Sequence, residues 1–132
     1  MDNSRYEAGL AKAKSVIGDK LVDKLLNDFK DVAPDMSRFV IEHVWADLFC
    51  RPELDVKTRE LAAISSLATL GSAPLQLKAH INGALNVGCT PEEIIEVLLQ
   101  LMALAGVPAA MNAIMSAREV FQERDLLKSV SR

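Results

Sequence analysis

Apolar residues recur at helical spacing along the chain, and glycine and proline cut the pattern into pieces. Residues 4–16 read as a fairly polar first helix, stopped by Gly18. Over residues 19–29, Leu21, Val22, Leu25 and Leu26 share one side of a second helix. Pro34 opens a third helix through Phe49, with Phe39, Val40, Val44 and Leu48 in its apolar pattern. Arg51-Pro52 ends it, because the residue before proline avoids the α region. Asp55 reads as the N-cap of a fourth helix over residues 56–70, with Gly71 as its stop. A fifth starts at Ser72 or Ala73, has Pro74 in its first turn and closes at Gly88. Thr90-Pro91-Glu92-Glu93 joins a cap, a proline at the first helical position and a capping-box glutamate, so a sixth helix runs to Ala105. Gly106-Val107-Pro108 breaks the chain before a seventh helix to Glu123. No alternating run of β-branched residues lies between turns. The expectation is an all-α fold of six to seven helices.

Residues 94–117 are the most apolar stretch, which raises the question of a membrane hairpin. Glu96, Gln100 and Asn112 interrupt it, and each half falls short of the roughly 20 residues a span needs. Two helices buried on most sides fit better. A chain of 132 residues has little interior to hide them. Burial between subunits is therefore expected, and with it a homo-oligomer. Met102, Met111 and Met115 suit such an interface, or equally a core, because methionine fills irregular gaps.

Composition narrows the rest. Half of the residues are apolar and 25% are charged, as in an ordinary folded domain. No linker, repeat or low-complexity stretch appears, so residues 1–132 read as one domain. Net charge is -3 and the pI is near 5.4, with no Lys/Arg run and no aromatic platform. That argues against nucleic acid. Residues 1–18 are polar and lack the apolar run of a secretory signal. Cys50 and Cys89 lie far apart, with no CxxC and no paired zinc-ligand spacing. A cytoplasmic protein with reduced thiols and no metal is expected.

Few residues are suited to chemistry. His80 has Gln76, Gly83 and Ala84 one helical turn away, and Ala73 further back. Such small neighbours leave space for a ligand, or for a closely packed helix. His43 and Trp45 stand together, and the indole can line a pocket or fill the core. Arg51 can cap the third helix or hold a substrate carboxylate in its planar fork. Arg59 and Glu60 lie near the start of the fourth helix. Arg59 draws attention because a cation there opposes the helix dipole; a salt bridge between helices is the plainer account. Cys50 and Cys89 read as structural, and Ser65-Ser66 lacks the elbow of a serine hydrolase.

Taken in order, several segments resemble one family. Trp45-Ala46-Asp47-Leu48, Arg51-Pro52-Glu53-Leu54-Asp55 and Thr58-Arg59-Glu60-Leu61 are similar to the W-G-[DE]-[IV]-W-x-R-P-G-L-x-x-x-T-R-S-L segment of carboxymuconolactone decarboxylases. Leu77-Lys78-Ala79-His80 matches that family's L-K-L-H. Gly88-Cys89-Thr90-Pro91-Glu92-Glu93-Ile94 resembles its N-G-V-T turn, and Gly106-Val107-Pro108-Ala109-Ala110-Met111-Asn112 its G-[VI]-P-A-A-N. The order holds from about residue 6 to residue 121.

The resemblance implies an alkylhydroperoxidase D-like bundle built around a helical hairpin and assembled as trimers or hexamers. The family's peroxidase branch uses Cys-x-x-Cys-x-x-x-His; counted back from His80, those cysteine positions hold Ala73 and Gln76. A thiol peroxidase needs an attacking and a resolving thiol, so that branch is set aside. The other branch converts 4-carboxymuconolactone to 3-oxoadipate enol-lactone in aromatic catabolism, with no cofactor. By resemblance, His80 is the acid or a hydrogen-bond donor, Arg51 and Arg59 are carboxylate or enolate partners, Trp45 is a wall and His43 is an assisting group. Asn82 stands where the decarboxylase pattern has arginine, Phe49 where it has tryptophan, and Ala46 and Glu53 where it has glycine. The change at Asn82 leaves open another small carboxylated substrate, or a non-catalytic member that binds a small acid or another protein.

Overall fold

Glycine punctuates the chain where the apolar pattern predicts a break. Gly18, Gly71, Gly88 and Gly106 take φ values between 73° and 108°, which residues bearing a Cβ disfavour. The computed structural model describes residues 2–127, and among them the chain is helical with no strand. The helices are α1 (Ser4–Ile17), α2 (Asp19–Asp28), α3, α4 (Val56–Leu70), α5 (Pro74–Asn86), α6 (Pro91–Leu104) and α7 (Val107–Glu123). The third is composite: α3 starts as a single α-helical turn, Met36–Phe39, and continues as a π-helix, Val40–Leu48. Among the described residues no helix is long and apolar enough to cross a membrane.

The start of α3 differs from the expectation of a helix opening at Pro34. Pro34 presets a backbone angle that suits a turn as well as the first turn of a helix. The chain turns instead, with the Ala33 N–H donating to the Phe29 carbonyl at 2.8 Å and that of Met36 to the Ala33 carbonyl at 2.9 Å. The wide pitch is a second difference. The Phe49 N–H donates to the Val44 carbonyl, five residues back, at 2.9 Å. Apolar spacing at Val40, Val44 and Trp45 suits a period of either four or five, so it does not distinguish the two.

The chain divides into two units at Asp55 and Val56. In the first, α1 packs along the π-helical part of α3, and α2 packs on α1. Ala13, Val16, Val22, Ile41 and Trp45 are its buried residues, with Gly9 at the closest approach of α1 to Ile41. An ionic clasp joins the same helices. Arg5 donates from Nε and Nη2 to the two oxygens of Asp47, at 2.7 and 2.6 Å. This fork holds the Asp47 carboxyl below the usual carboxylate range. Arg38 reaches Glu42 at 3.3 Å and lies over the Tyr6 ring at 4.9 Å.

In the second unit α4 pairs with α5 and α6 with α7, while α7 also packs on α4 and α5. Ile64, Ile81, Ile94, Leu98, Val120 and Phe121 fill the centre. Alanines at 68, 84, 110, 113 and 117 are buried among them and let the helices close. The predicted capping box of α6 is present: the Glu93 N–H donates to Thr90 Oγ1 at 3.1 Å, and the Thr90 N–H to Glu93 Oε1 at 2.9 Å.

Glu93 also meets Lys57 of α4 at 3.3 Å. The Thr90 N–H, and after it Lys57, hold the Glu93 carboxyl below its ordinary range. A carboxyl lowered by folding lends stability that is complete above that range and is lost as pH falls through the lowered value. The melting temperature is therefore expected to drop as pH falls from neutral to below about 4. Glu93→Gln is expected to flatten that slope, and equal slopes in the two proteins would refute the assignment.

Candidate active site

The buried stripe of α4 is Glu60, Ile64 and Ala68, spaced by four. A carboxylate thus occupies a position that the helical pattern reserves for an apolar side chain. Its side chain is 0% exposed, and a buried charge needs a partner. The partner comes from α5. His80 Nδ1 lies 2.9 Å from Glu60 Oε1 and 3.1 Å from Oε2. The imidazole sits where the buried side of α5, marked by Leu77, Ile81 and Ala84, meets its surface, and it keeps 18% of its side chain exposed. With Glu60 as a carboxylate, which only accepts, Nδ1 is the donor of this pair; the roles follow the tautomer of the ring. Nε2 lies on the opposite edge of the ring.

Glu60 is the residue that the sequence analysis undervalued. The signal was its place in the apolar stripe of α4, four residues before Ile64. Arg59 is half-buried on the adjacent side of the same helix. Gly83 and Ala84, flagged as small neighbours of His80, are buried, and Gln76 is exposed. Asn82, at the position where arginine was expected, accepts a hydrogen bond on Oδ1 from Arg124 Nη1 at 3.1 Å. The same nitrogen donates to Asn86 Oδ1 at 3.0 Å.

The other three candidates belong to the first unit. Trp45 is 3% exposed, and its ring centroid lies 4.6 Å from that of Phe49. His43 is at the surface, with Nδ1 3.9 Å from Asp47. Arg51 is exposed in the loop after α3. His43 also borders an open groove of about 530 Å³ floored by Met36, Phe39, Val40 and Val44. The lining of that groove includes neither Glu60 nor His80. Cys50 is exposed and Cys89 buried, and neither forms a disulfide.

The second unit of this small helical protein thus brings a buried glutamate of α4 against a histidine of α5. A model of the carboxymuconolactone decarboxylase family matches residues 34–119, and the chain belongs to that family. It is 34% identical to a 4-carboxymuconolactone decarboxylase of Acinetobacter baylyi, over 92% of this chain and 90% of that one. It is 28% identical to a nitrosuccinic acid decarboxylase of Metarhizium robertsii, over 89% of this chain and 82% of that one. Both relatives are decarboxylases by name, and the likeness supports a decarboxylase-type function here.

Proposed function

We propose that this chain is a cofactor-independent carboxy-lyase acting on 4-carboxymuconolactone or a related small carboxylated lactone, with His80 as proton donor. The buried Glu60–His80 pair carries this reading. Loss of CO2 breaks the bond between the carboxylate and its carbon. The electron pair stays behind and spreads into the neighbouring carbonyl system. A proton must then reach a carbon of the resulting enolate. As an imidazolium, His80 gives that proton from Nε2 and keeps its Nδ1 proton on Glu60. The buried carboxylate supplies the counter-charge while the ring is protonated, and it fixes the ring's orientation. A proton from water then restores the acid. No redox change occurs, and charge and atoms balance over the cycle.

Both 4-carboxymuconolactone and nitrosuccinic acid contain an electron-withdrawing group that can take up the electrons left by CO2. The substrate class proposed is therefore a small acid that carries its own electron sink. On the family resemblance, Arg51 and Arg59 are proposed as carboxylate or enolate partners, Trp45 as a wall and His43 as an assisting group. The cytoplasm is the proposed compartment.

We also propose a homo-oligomer, a trimer or hexamer. Met102, Met111 and Met115 are 48%, 61% and 56% exposed, and Leu99, Leu104 and Val107 are exposed with them. So many large apolar side chains on α6 and α7 suit an interface. Size-exclusion chromatography with light scattering is expected to show the oligomer, and Met111→Glu to shift it toward smaller species. A monomeric wild-type chain would overturn this.

The activity is tested by following loss of 4-carboxymuconolactone generated in situ, with mass spectrometry of the product. Conversion to the enol-lactone is expected. If the folded protein binds the acid saturably without any product, the chain is a binding protein rather than an enzyme.

A further inference from the structure

Cys89 is buried in the turn between α5 and α6, 4% exposed, and filling space is the ordinary fate of a lone cysteine. Its contacts give the filled space a particular meaning. Its N–H donates to the Ala84 carbonyl at 2.9 Å, and its Sγ lies 3.8 Å from the Lys57 carbonyl. Ala84 follows His80 by four residues, and Lys57 precedes Glu60 by three. Residues at those spacings share a side of a helix. Cys89 therefore touches both helices one turn away from the place where the carboxylate meets the imidazole.

A second contact ties the same turn of α4. Lys57 Nζ is 3.3 Å from Glu93 Oε2, and the other oxygen of Glu93 accepts from the N–H of Thr90, the neighbour of Cys89. The first turn of α4 is thus held to the α5–α6 connection from its buried side by Cys89 and from its surface side by Glu93. We propose that Cys89 is a positioning residue for the Glu60–His80 pair, setting the separation of α4 and α5 at which Nδ1 reaches both carboxylate oxygens. This rests on the proposed role of that pair in proton transfer.

The test uses the full chain with 15N-labelled histidine. The wild type is expected to show a low-field Nδ1 proton resonance for His80, assigned by its loss in His80→Ala. In Cys89→Ala that resonance is expected to broaden or vanish, with kcat down about tenfold and KM little changed, as for a misplaced acid. Cys89→Ser keeps a donor for the Lys57 carbonyl and most of the volume, and is expected to restore both readouts. A folded Cys89→Ala with the wild-type resonance and kcat overturns the proposal. If that variant does not fold, Lys57→Met decides, because it loosens the same turn from the surface. A weakened resonance supports the proposal and an unchanged one overturns it. The resonance is read without substrate. Its loss in Cys89→Ala, in a protein that turns over no acid, would uphold the positioning role while refuting the catalytic one.

Discussion

Replacing His80 with alanine is expected to lower kcat by roughly 10²- to 10⁴-fold, the usual contribution of a positioned general acid. Helix content should be retained while the melting temperature falls, because the change leaves the buried Glu60 carboxylate without its imidazole partner. Glu60→Gln is the companion experiment. Glutamine keeps the volume and stays buried, so packing survives. It brings no counter-charge for an imidazolium, and its amide can donate to Nδ1 as well as accept from it. A large fall in kcat with little change in KM is expected, since the interaction lost is one made in the transition state. Steady-state kinetics on the in-situ substrate, with circular dichroism of each variant, checks both. Full activity in a folded His80→Ala protein would remove this histidine from the mechanism.

Gly9→Ala is expected to unfold the first unit or weaken it severely. A Cβ at this position would lie 2.2 Å from the Ile41 carbonyl oxygen and 3.1 Å from Ala46 Cβ. The oxygen is backbone and cannot swing aside as a flexible side chain would. To admit the methyl group, α1 must move off α3, and with it the clasp between Arg5 and Asp47. Overpacking of this kind costs about 1–3 kcal/mol, and contact with backbone places it at the upper end. In urea unfolding the midpoint should fall well below that of Ala8→Gly, a control one position away at an exposed site. Equal midpoints would mean that α1 and α3 are not in this contact.

Most of the fold could be read from the residue pattern, because its signals are local. The breaks at Gly18, Gly71 and Gly106, and the start of α6 at Thr90, each depend on a residue's own backbone preference or on a partner three positions away. The composite α3 was not legible, since apolar spacing fits two pitches and the choice depends on packing against α1. The candidate site was legible by half. His80 stands out among small neighbours on α5. Its partner Glu60 is twenty positions earlier, and only the contact of α4 with α5 brings them together. The position of Glu60 in an apolar stripe was the available clue, since a carboxylate there must be answered by another side chain. Trp45 was open between pocket and core, and its burial in the core of the first unit is a tertiary outcome.

The π-helical part of α3 makes this segment sensitive to length as well as to composition. A helix with bonds reaching back five residues encloses one more residue in each hydrogen-bonded loop than an α-helix does. If the segment keeps its wide pitch against α1, removing a single residue between Val40 and Val44 shifts every later residue by one position along it. Each residue of an α-helix turns the chain by about 100°, so everything beyond the deletion would face a new direction. Asp47 would leave Arg5, and Trp45 would leave the core of its unit. Substitutions along α3 are therefore expected to be better tolerated than insertions or deletions, and natural variation in this segment should keep its residue count while its side chains change.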